Sequence, residues 1–528
     1  ELANDSARIS DEYMKEGYLD VQVSSPFLKT YTDTYKADLT YFIKEGEPYK
    51  IIDIQIKNPL FSDEENQEIL EELESQVKDI VNIEDVRKDL KTIETKSADL
   101  GYAFAQVFPD IQKNSETHEV SIVFQVVPNE KVYIRNVIIS GNSRTVDRVV
   151  RRELFLTEGN LYHRTDLKES INALRRTSYF ESVDIKEERV DETHIDLVVE
   201  VKEAATGAIS GGIGYSSSDG MLLNASLSDS NIFGSGIKSS ISIDKSDETL
   251  SGRINITNPR IADSEYSLGG TLYSNDYEWD EYSEQNYGFD ITLGRQFWRY
   301  FNASLTYNLE QSDIYYLSPT LIRTGYDLGE TIKSSITPAI SFNNTDDYYL
   351  PRSGIIASSS LEFAGIGGDQ QFLYSKSNFN FYQGLEDFIG YDLIYRYKAS
   401  FYKVWDQGYL PINQRVYLGG IRSLRGFENR TVSPRNQWGD EIGGTIAFAN
   451  SFELSFPLID RIKLRGSVFF DYGAIGKTQI DDMQRMSTGF GIEWITPIGP
   501  LQVVFAKALN DKPGDETSSF EFNLGTRF

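Results

Sequence analysis

Residues 391–401 read Tyr-Asp-Leu-Ile-Tyr-Arg-Tyr-Lys-Ala-Ser-Phe and alternate between two kinds of side chain. The odd positions carry Tyr, Leu and Phe with one Ala, while the even positions include Asp, Arg, Lys and Ser. Successive side chains of a β-strand point to opposite faces, so this stretch predicts a strand with one apolar and one charged face. The same period of two recurs in residues 286–293 and 462–472.

The alternation continues, interrupted by polar turns, from about residue 207 to the C-terminus. Tyr and Phe gather near the ends of the apolar faces, as the aromatic girdles of a membrane barrel require, and the charged faces suit a wet lumen. At about 20 residues per strand and turn, residues 207–528 accommodate about 16 strands. We therefore predict an all-β, 16-stranded antiparallel transmembrane barrel over residues 205–528, with a long inward loop at 404–442.

Composition changes near residue 204. Residues 1–204 hold 5 of the 40 glycines and none of the 5 tryptophans, while both parts of the chain are acidic and the total formal charge is −28. Such a charge repels phosphates, which argues against a nucleic-acid partner. The sequence has no cysteine, which excludes disulfides, thiolate metal sites and a thiol nucleophile. No apolar run reaches the roughly 18 residues of a transmembrane helix.

Residues 1–204 contain an α+β unit that recurs with the order β-α-α-β-β. In its last copy a helix is predicted at 145–153, with Thr145 as its N-cap, and strands are predicted at 180–190 and 194–203. The predicted units are a partial domain at 1–46 with a strand at 18–27, a complete domain at 47–128 and a complete domain at 129–204. Because the first copy is partial, we expect further copies upstream in the intact protein.

The repeats suggest a recognition role. A small sheet with helices on one face leaves an edge strand, which can accept an extended peptide by strand addition. The edges are predicted near residues 102–110 and 180–190. The alternative is that the repeats serve only as spacers.

No pattern in the sequence predicts catalysis. The histidines His118, His163 and His194 fall in predicted turns or strand starts, without the spacing of a metal site. Residues 211–214 read Gly-Gly-Ile-Gly but lack the Lys and Ser/Thr of a phosphate-binding loop. We therefore expect no enzymatic activity, no metal and no cofactor.

The long loop contains a distinctive stretch, residues 419–427, which combines a flexible backbone, a guanidinium and an aromatic ring. Strand parity places Glu453 and Asp471 on the charged faces of the next two strands, and arginine is the preferred bidentate partner of carboxylates. We predict that Arg425, Glu453 and Asp471 form a cluster in the lumen that pins the loop inside the barrel. The alternative is an exposed loop arginine and two unrelated lumenal acids.

Leu-Arg-Gly-Phe in a long loop resembles the signature loop of the BamA family of outer-membrane protein assembly factors. The repeats resemble the POTRA domains of that family, residues 231–236 resemble its early-barrel motif, and residues 350–354 resemble its mid-barrel turn. The two acids match positions that hold the loop arginine in the family. The resemblance assigns a loop cluster consisting of Leu424, Arg425, Gly426, Phe427, Glu453 and Asp471.

The resemblance also implies a function and a location. It implies a barrel in the outer membrane of a Gram-negative bacterium, POTRA domains in the periplasm, and the insertion of other barrel proteins without ATP. The implied partners are unfolded outer-membrane proteins, lipoprotein subunits of an assembly complex, a periplasmic chaperone and the lipid bilayer. The alternatives are a TamA-like autotransporter assembly factor, a two-partner-secretion pore and a passive channel.

Closing the barrel requires its first and last strands to pair, and the two differ in quality. Residues 207–215 contain four glycines, which weaken a strand interior, and the last strand ends at the chain terminus. We predict a weak seam that templates client strands, unless the glycines merely let the first strand curl beneath the loop. The predicted seam residues are Gly207, Gly211, Gly212, Ile213, Gly214, Phe522, Leu524 and Phe528.

Overall fold

The computed structural model describes the chain except for residues 1, 32–35, 217–219, 299, 348–349, 481, 497–498 and 525–528. The chain divides into two compact units, Glu1–Ala204 and Ala205–Phe528, and each is described by itself. Across the described residues, every helix is too short or too polar to cross a membrane.

The first unit contains both helices and strands. Its helices are α1 (Leu2–Lys15), α2 (Asp63–Glu72), α3 (Ile83–Asp99), α4 (Asp147–Arg151) and α5 (Arg164–Arg176). Its strands are β1 (Gln22–Val23), β2 (Phe27–Tyr31), β3 (Lys36–Thr40), β4 (Ile43–Lys44), β5 (Lys50–Lys57), β6 (Gln106–Asn114), β7 (Glu119–Val127), β8 (Tyr133–Ser140), β9 (Phe180–Arg189) and β10 (His194–Glu203).

Each complete repeat forms one sheet, with its last strand in the middle. The sheet orders are β5-β7-β6 and β8-β10-β9. The first and last strands of a repeat run parallel, because two helices carry the chain back between them. Val86 and Ile93 on α3 and Leu167 and Leu174 on α5 are buried in the cores beneath these sheets. The predicted β-α-α-β-β order is confirmed.

The predicted helix cap at Thr145 is wrong. Helix α4 begins at Asp147, and the residue before it, Val146, makes no side-chain cap hydrogen bond. The Thr145 hydroxyl instead donates to Glu203 Oε2 at 3.0 Å, and the Thr145 N–H donates to Glu203 Oε1 at 2.7 Å. The end of β10 therefore takes the hydroxyl that would otherwise cap the helix.

Two strand predictions in the first unit are also inaccurate. The strand predicted at 18–27 is divided, because β1 pairs with β4 whereas β2 pairs with β3. The strand predicted at 102–110 begins only at Gln106, since the Ala105 N–H donates to the Tyr102 carbonyl in a preceding turn.

In the second unit, β11 to β26 form one antiparallel sheet of sixteen strands within the described residues, as predicted. The strands are β11 (Gly207–Ser216), β12 (Gly220–Asp229), β13 (Lys238–Lys245), β14 (Thr249–Asn258), β15 (Tyr266–Glu278), β16 (Tyr282–Phe297), β17 (Phe301–Leu317), β18 (Gly329–Asn343), β19 (Ser353–Gly368), β20 (Gln371–Gly384), β21 (Ile394–Tyr409), β22 (Ile446–Ile459), β23 (Leu464–Gly476), β24 (Met483–Thr496), β25 (Gly499–Ala508) and β26 (Phe520–Leu524). Short helices in the connections are α6 (Pro319–Arg323) and α7 (Glu386–Ile389), with 3-10 turns at Ile232–Gly234, Ile261–Asp263, Ile412–Gln414 and Asp460–Ile462.

Polar residues of this sheet face inward and apolar residues face outward. On β23, Arg465, Ser467 and Asp471 are buried, whereas Val468 and Phe470 are exposed. A water-soluble protein would show the reverse arrangement, and outward apolar side chains suit contact with lipid. The two faces inferred from the sequence are thereby confirmed.

The segment between β21 and β22, residues 410–445, is called the lumenal loop below. The sequence predicts that this loop begins at residue 404, but β21 continues to Tyr409, and Trp405 pairs with Leu373 of β20. The period of two persists there, because Val404 is buried and Trp405 is exposed. The aromatic and glycine residues at the end of this strand are also typical of loops, which is why the sequence assigns residues 404–409 to the loop.

Candidate functional site

The tip of the lumenal loop, residues 424–427, is held in a tight backbone turn. The Gly420 N–H donates to the Phe427 carbonyl at 2.8 Å, and the Leu424 N–H donates to the Gly420 carbonyl at 3.1 Å. Gly426 has a φ of +88°, in the left-handed region that glycine adopts without strain. This turn points the Arg425 side chain toward the barrel wall.

The guanidinium of Arg425 binds both predicted acids. Its Nε and Nη2 donate to the two oxygens of Asp471 at 2.8 and 2.7 Å, and its Nη1 donates to Glu453 Oε2 at 2.8 Å. Nη2 also donates to Ser451 Oγ at 2.7 Å. The two acids come within reach of one side chain because Ser451 of β22 pairs directly with Asp471 of β23.

The cluster is almost fully buried. Arg425 is 6% exposed, Glu453 2% and Asp471 1%. The guanidinium carbon also lies 3.5 Å from the centre of the Phe469 ring, a cation–π contact that favours the charged form. Charges taken out of water need close partners, and removing one partner leaves an uncompensated charge. The loop is therefore attached to β22 and β23 by charge as well as by packing.

Arg396 and Glu493 extend the cluster, and sequence reasoning missed both as site residues. Arg396 Nη1 on β21 donates to Glu453 Oε1 at 2.7 Å and to Glu493 Oε1 at 2.7 Å. Glu453 thus binds a different arginine with each oxygen. The alternation of side chains along the strands could have identified both residues as facing the lumen. Arg396 lies on the charged face of residues 391–401, and Glu493 alternates with apolar neighbours on β24.

Leu424 and Phe427 attach the tip through apolar contacts. Both are fully buried, in a core that includes Val432 of the loop and the wall residues Ala447 and Ile475. The structure therefore brings together all the residues assigned to the loop cluster. Their functional role stays a prediction.

Replacing Gly426 by alanine should weaken docking of the loop. The new Cβ would lie 3.3 Å from both Ala506 Cβ and Ser487 Cβ, at a backbone conformation that L residues rarely adopt. Strain and overpacking together should cost about 2–5 kcal/mol. The measurement is the free energy of barrel unfolding, together with protease sensitivity of the loop.

Gly439→Ala is the matched control. Gly439 lies in the same loop with a φ of +103°, but an added Cβ meets no atom within 4 Å. This variant should show only the backbone cost of about 1–2 kcal/mol. Equal losses in the two variants would contradict close packing of the tip against the wall.

The predicted seam residues lie in the first and last strands. Gly207, Gly211, Gly212, Ile213 and Gly214 are in β11, which pairs with β12 along its whole length. Phe522 and Leu524 are in β26 and pair with Val503 and Leu501 of β25. Phe528 lies outside the described residues. Ile213 is 72% exposed on the outer face.

The described residues contain no group of three or more His, Asp or Glu side chains placed to hold a metal ion. His163 serves a local purpose, because its Nδ1 accepts the Asp166 N–H at 3.2 Å at the start of α5.

Residues 231–528 match the Omp85 superfamily domain. Residues 49–129 and 132–204 each match the POTRA family, described as a surface antigen variable number repeat.

Two relatives named outer membrane protein assembly factor BamA align with all of the chain. The protein from Nitratidesulfovibrio vulgaris is 30% identical, with 68% of its length covered, and the protein from Neisseria meningitidis is 24% identical, with 73% covered.

Solved structures show the same fold. The crystal structure of BamA from Haemophilus ducreyi lacking POTRA domains 1–3 covers 90% of the chain, with 99% of its own length matched, a TM-score of 0.69 and 24% identity. CdiB from Acinetobacter baumannii covers 99% of the chain, with 98% of its own length matched, a lower TM-score of 0.54 and 13% identity. With the superfamily domain matching more than half of the chain and POTRA repeats before it, the chain belongs to the Omp85 superfamily, in its BamA family.

Proposed function

We propose that the chain folds β-barrel proteins and inserts them into the bacterial outer membrane. Its own barrel lies in that membrane, and its POTRA repeats lie in the periplasm. Support comes from relatives that align over the whole chain and are named outer membrane protein assembly factors.

The observation that carries the proposal is the junction between the ends of the sheet. Strands β11 and β26 lie beside each other, but within the described residues no backbone ladder joins them. Within the described residues, the ladder between β26 and β25 extends over Leu501–Phe505. We propose that this junction is a weak seam of the barrel.

A weak seam supplies a route for insertion. Each unpaired backbone group in hydrocarbon costs several kcal/mol, so an edge strand there favours pairing with any strand that is offered. A client strand can add to this edge by backbone hydrogen bonding, which needs no particular client sequence. Client folding then supplies the driving force, and no nucleotide and no catalytic step are required.

The loop cluster stabilises the barrel wall that leads up to the seam. Arg425 ties the lumenal loop to β22 and β23, and Arg396 extends the same network to β21 and β24. These strands precede the seam, so the cluster holds the wall from which β25 and β26 continue. In this mechanism the wall stays fixed while the seam opens.

We assign a role to each of the expected domains. We propose that residues 1–46, 47–128 and 129–204 contribute POTRA units and that residues 205–528 form the barrel. Unfolded outer-membrane proteins are the proposed clients. Periplasmic lipoprotein subunits and a periplasmic chaperone are the proposed partners of the POTRA domains.

The two complete repeats each have one covered and one open sheet edge. On β8 the Ile134 N–H donates to the Asn160 carbonyl, and the Ile134 carbonyl accepts from Gly159. On β5 the backbone of Ile51 is bonded in the same way by residues 78–79. The opposite edges, β6 and β9, have no strand beside them in the described part of the chain. Pro109 lies on β6, a residue that sheets tolerate at an edge.

Photo-crosslinkers placed at Gln112 on β6 and Lys186 on β9 should capture unfolded clients or partner subunits. Both side chains are exposed on open edges. A crosslinker at Tyr133 is the control, since Tyr133 is 43% exposed but lies on the covered edge. Capture at all three positions alike, or at none, would contradict strand addition at these edges.

Reconstitution into liposomes tests the proposed function directly. Vesicles carrying the protein should speed the folding of several unrelated unfolded barrel proteins, measured by protease-resistant product over time. A passive channel would instead give a steady large conductance in planar bilayers without faster folding. A dedicated exporter would act on one partner rather than on many barrels, and depletion in cells would reveal that difference.

A further inference from the structure

The tip of the lumenal loop makes a second set of contacts, with the end of the chain. The Gly426 N–H donates to Glu521 Oε1 at 2.7 Å, and the Gly426 carbonyl accepts the Ser518 N–H at 3.2 Å. The Glu428 N–H donates to the Glu516 carbonyl at 3.0 Å. The loop is therefore bonded to the last strand as well as to β22 and β23.

Glu521 lies in an unusual position for a carboxylate. It sits in β26 between Phe520 and Phe522, faces inward and is 1% exposed. One oxygen accepts the Gly426 N–H, whereas Oε2 has no hydrogen-bond partner among the described residues. Burying a half-satisfied carboxylate is costly, so a side chain suited only to packing would not be acidic here.

We propose that Glu521 is a positioning residue that clamps the last strand to the loop tip. The proposal rests on the assembly function proposed above and deepens it. Within the described residues strand β26 has no ladder with β11, so its ladder with β25 and its contacts with the loop tip hold it in place. Breaking the contact between Gly426 and Glu521 frees β26, and a free Oε1 and Oε2 regain water.

The clamp couples the docking of the loop tip on the barrel wall to the position of the last strand, β26. Arg425 fixes residue 425 to the wall, and the next backbone N–H, that of Gly426, fixes the last strand. A shift of the tip by a few ångströms would break both sets of bonds together. The state of the loop is thereby transmitted to the strand that borders the seam.

Spin labels can measure the clamp without any assay of assembly. The chain contains no cysteine, so Arg422→Cys and Ser519→Cys, both at exposed positions, give one labelled pair for distance measurement in liposomes. The test variant is Glu521→Met, which keeps the side-chain volume but removes the acceptor. Glu521→Gln keeps a carbonyl acceptor and should restore the parent behaviour.

The parent and Glu521→Gln should give one narrow distance. Glu521→Met should shift the ratio of docked to undocked tips by about tenfold or more, since hydrogen bonds to charged groups are strong, and should slow client folding several-fold. Glu310→Met is the control, because Glu310 is also buried in the barrel, but each of its oxygens has a partner: one accepts from Tyr273 at 2.7 Å and the other pairs with Lys333.

Each outcome decides the proposal. A single narrow distance in Glu521→Met would overturn the clamp, and so would equal broadening in Glu521→Gln or in Glu310→Met. Broadening without any change in client folding would overturn the coupling of the clamp to assembly. If the parent folds no client at all, the assembly function fails, while the distances still show whether the clamp exists.

Discussion

Replacing Arg425 by alanine is expected to release the lumenal loop from the barrel wall. Among the described residues, the change removes the ion-pair partner of Asp471 and one of the two arginines paired with Glu453, which keeps Arg396. Breaking a buried ion pair by removing one partner costs about 3–5 kcal/mol. Unfolding of the barrel in denaturant should show this loss, the loop should become protease-sensitive, and client folding should fall steeply.

Two companion variants make the test specific. Arg425→Lys keeps a positive charge but cannot bind Asp471 with two nitrogens, so its loss should be smaller than that of alanine. Arg295→Ala removes a partly exposed arginine from its pair with Glu265 and should cost at most about 1 kcal/mol. If Arg425→Ala is no worse than Arg295→Ala, the cluster does not hold the loop.

A disulfide across the seam is expected to abolish assembly, and reduction should restore it. If client strands enter between β11 and β26, a covalent bond between these strands blocks the entry. Because the native chain has no cysteine, Ile213→Cys can be combined in turn with Phe522→Cys or Leu524→Cys. The pair that oxidises completely is then compared in oxidised and reduced form for the rate of client folding.

The neighbouring ladder provides the control. Ile213 of β11 pairs directly with Leu223 of β12, so a disulfide between Ile213→Cys and Leu223→Cys locks strands that the mechanism leaves together. That crosslink should have little effect on client folding. Full activity of the verified seam crosslink would rule out insertion through the seam.

The period of two explains why most of the barrel could be predicted from the sequence. In residues 462–472 the side chains alternate so regularly that lipid-facing and lumen-facing positions follow directly. The same parity selected Glu453 and Asp471, whose distances from Arg425 the structure then supplies. Prediction was weaker at strand ends, as at Trp405, because turn-forming and aromatic residues occur both in loops and at the membrane interface.

Contacts between distant segments could not be predicted in the same way. Parity places Arg396, Glu493 and Glu521 on the inner face, but it does not say which inner residues meet across the lumen. Thr145 illustrates the same limit in the repeats, since a good helix cap in sequence is bonded to Glu203, far along the chain. Local sequence patterns determine which face of the sheet a residue occupies. The residue that it contacts depends on the order and register of the strands.

The contact between Gly426 and Glu521 also has a consequence for how this protein reaches its own native state. The two residues are 95 positions apart, and contacts of such long sequence separation form late in folding. During synthesis the loop tip is made before β22 to β26, so its docking must wait for the strands that receive it. We therefore expect capture of the C-terminal strand by the docked loop to be among the last steps of folding, and a chain shortened before Glu521 to lack that step.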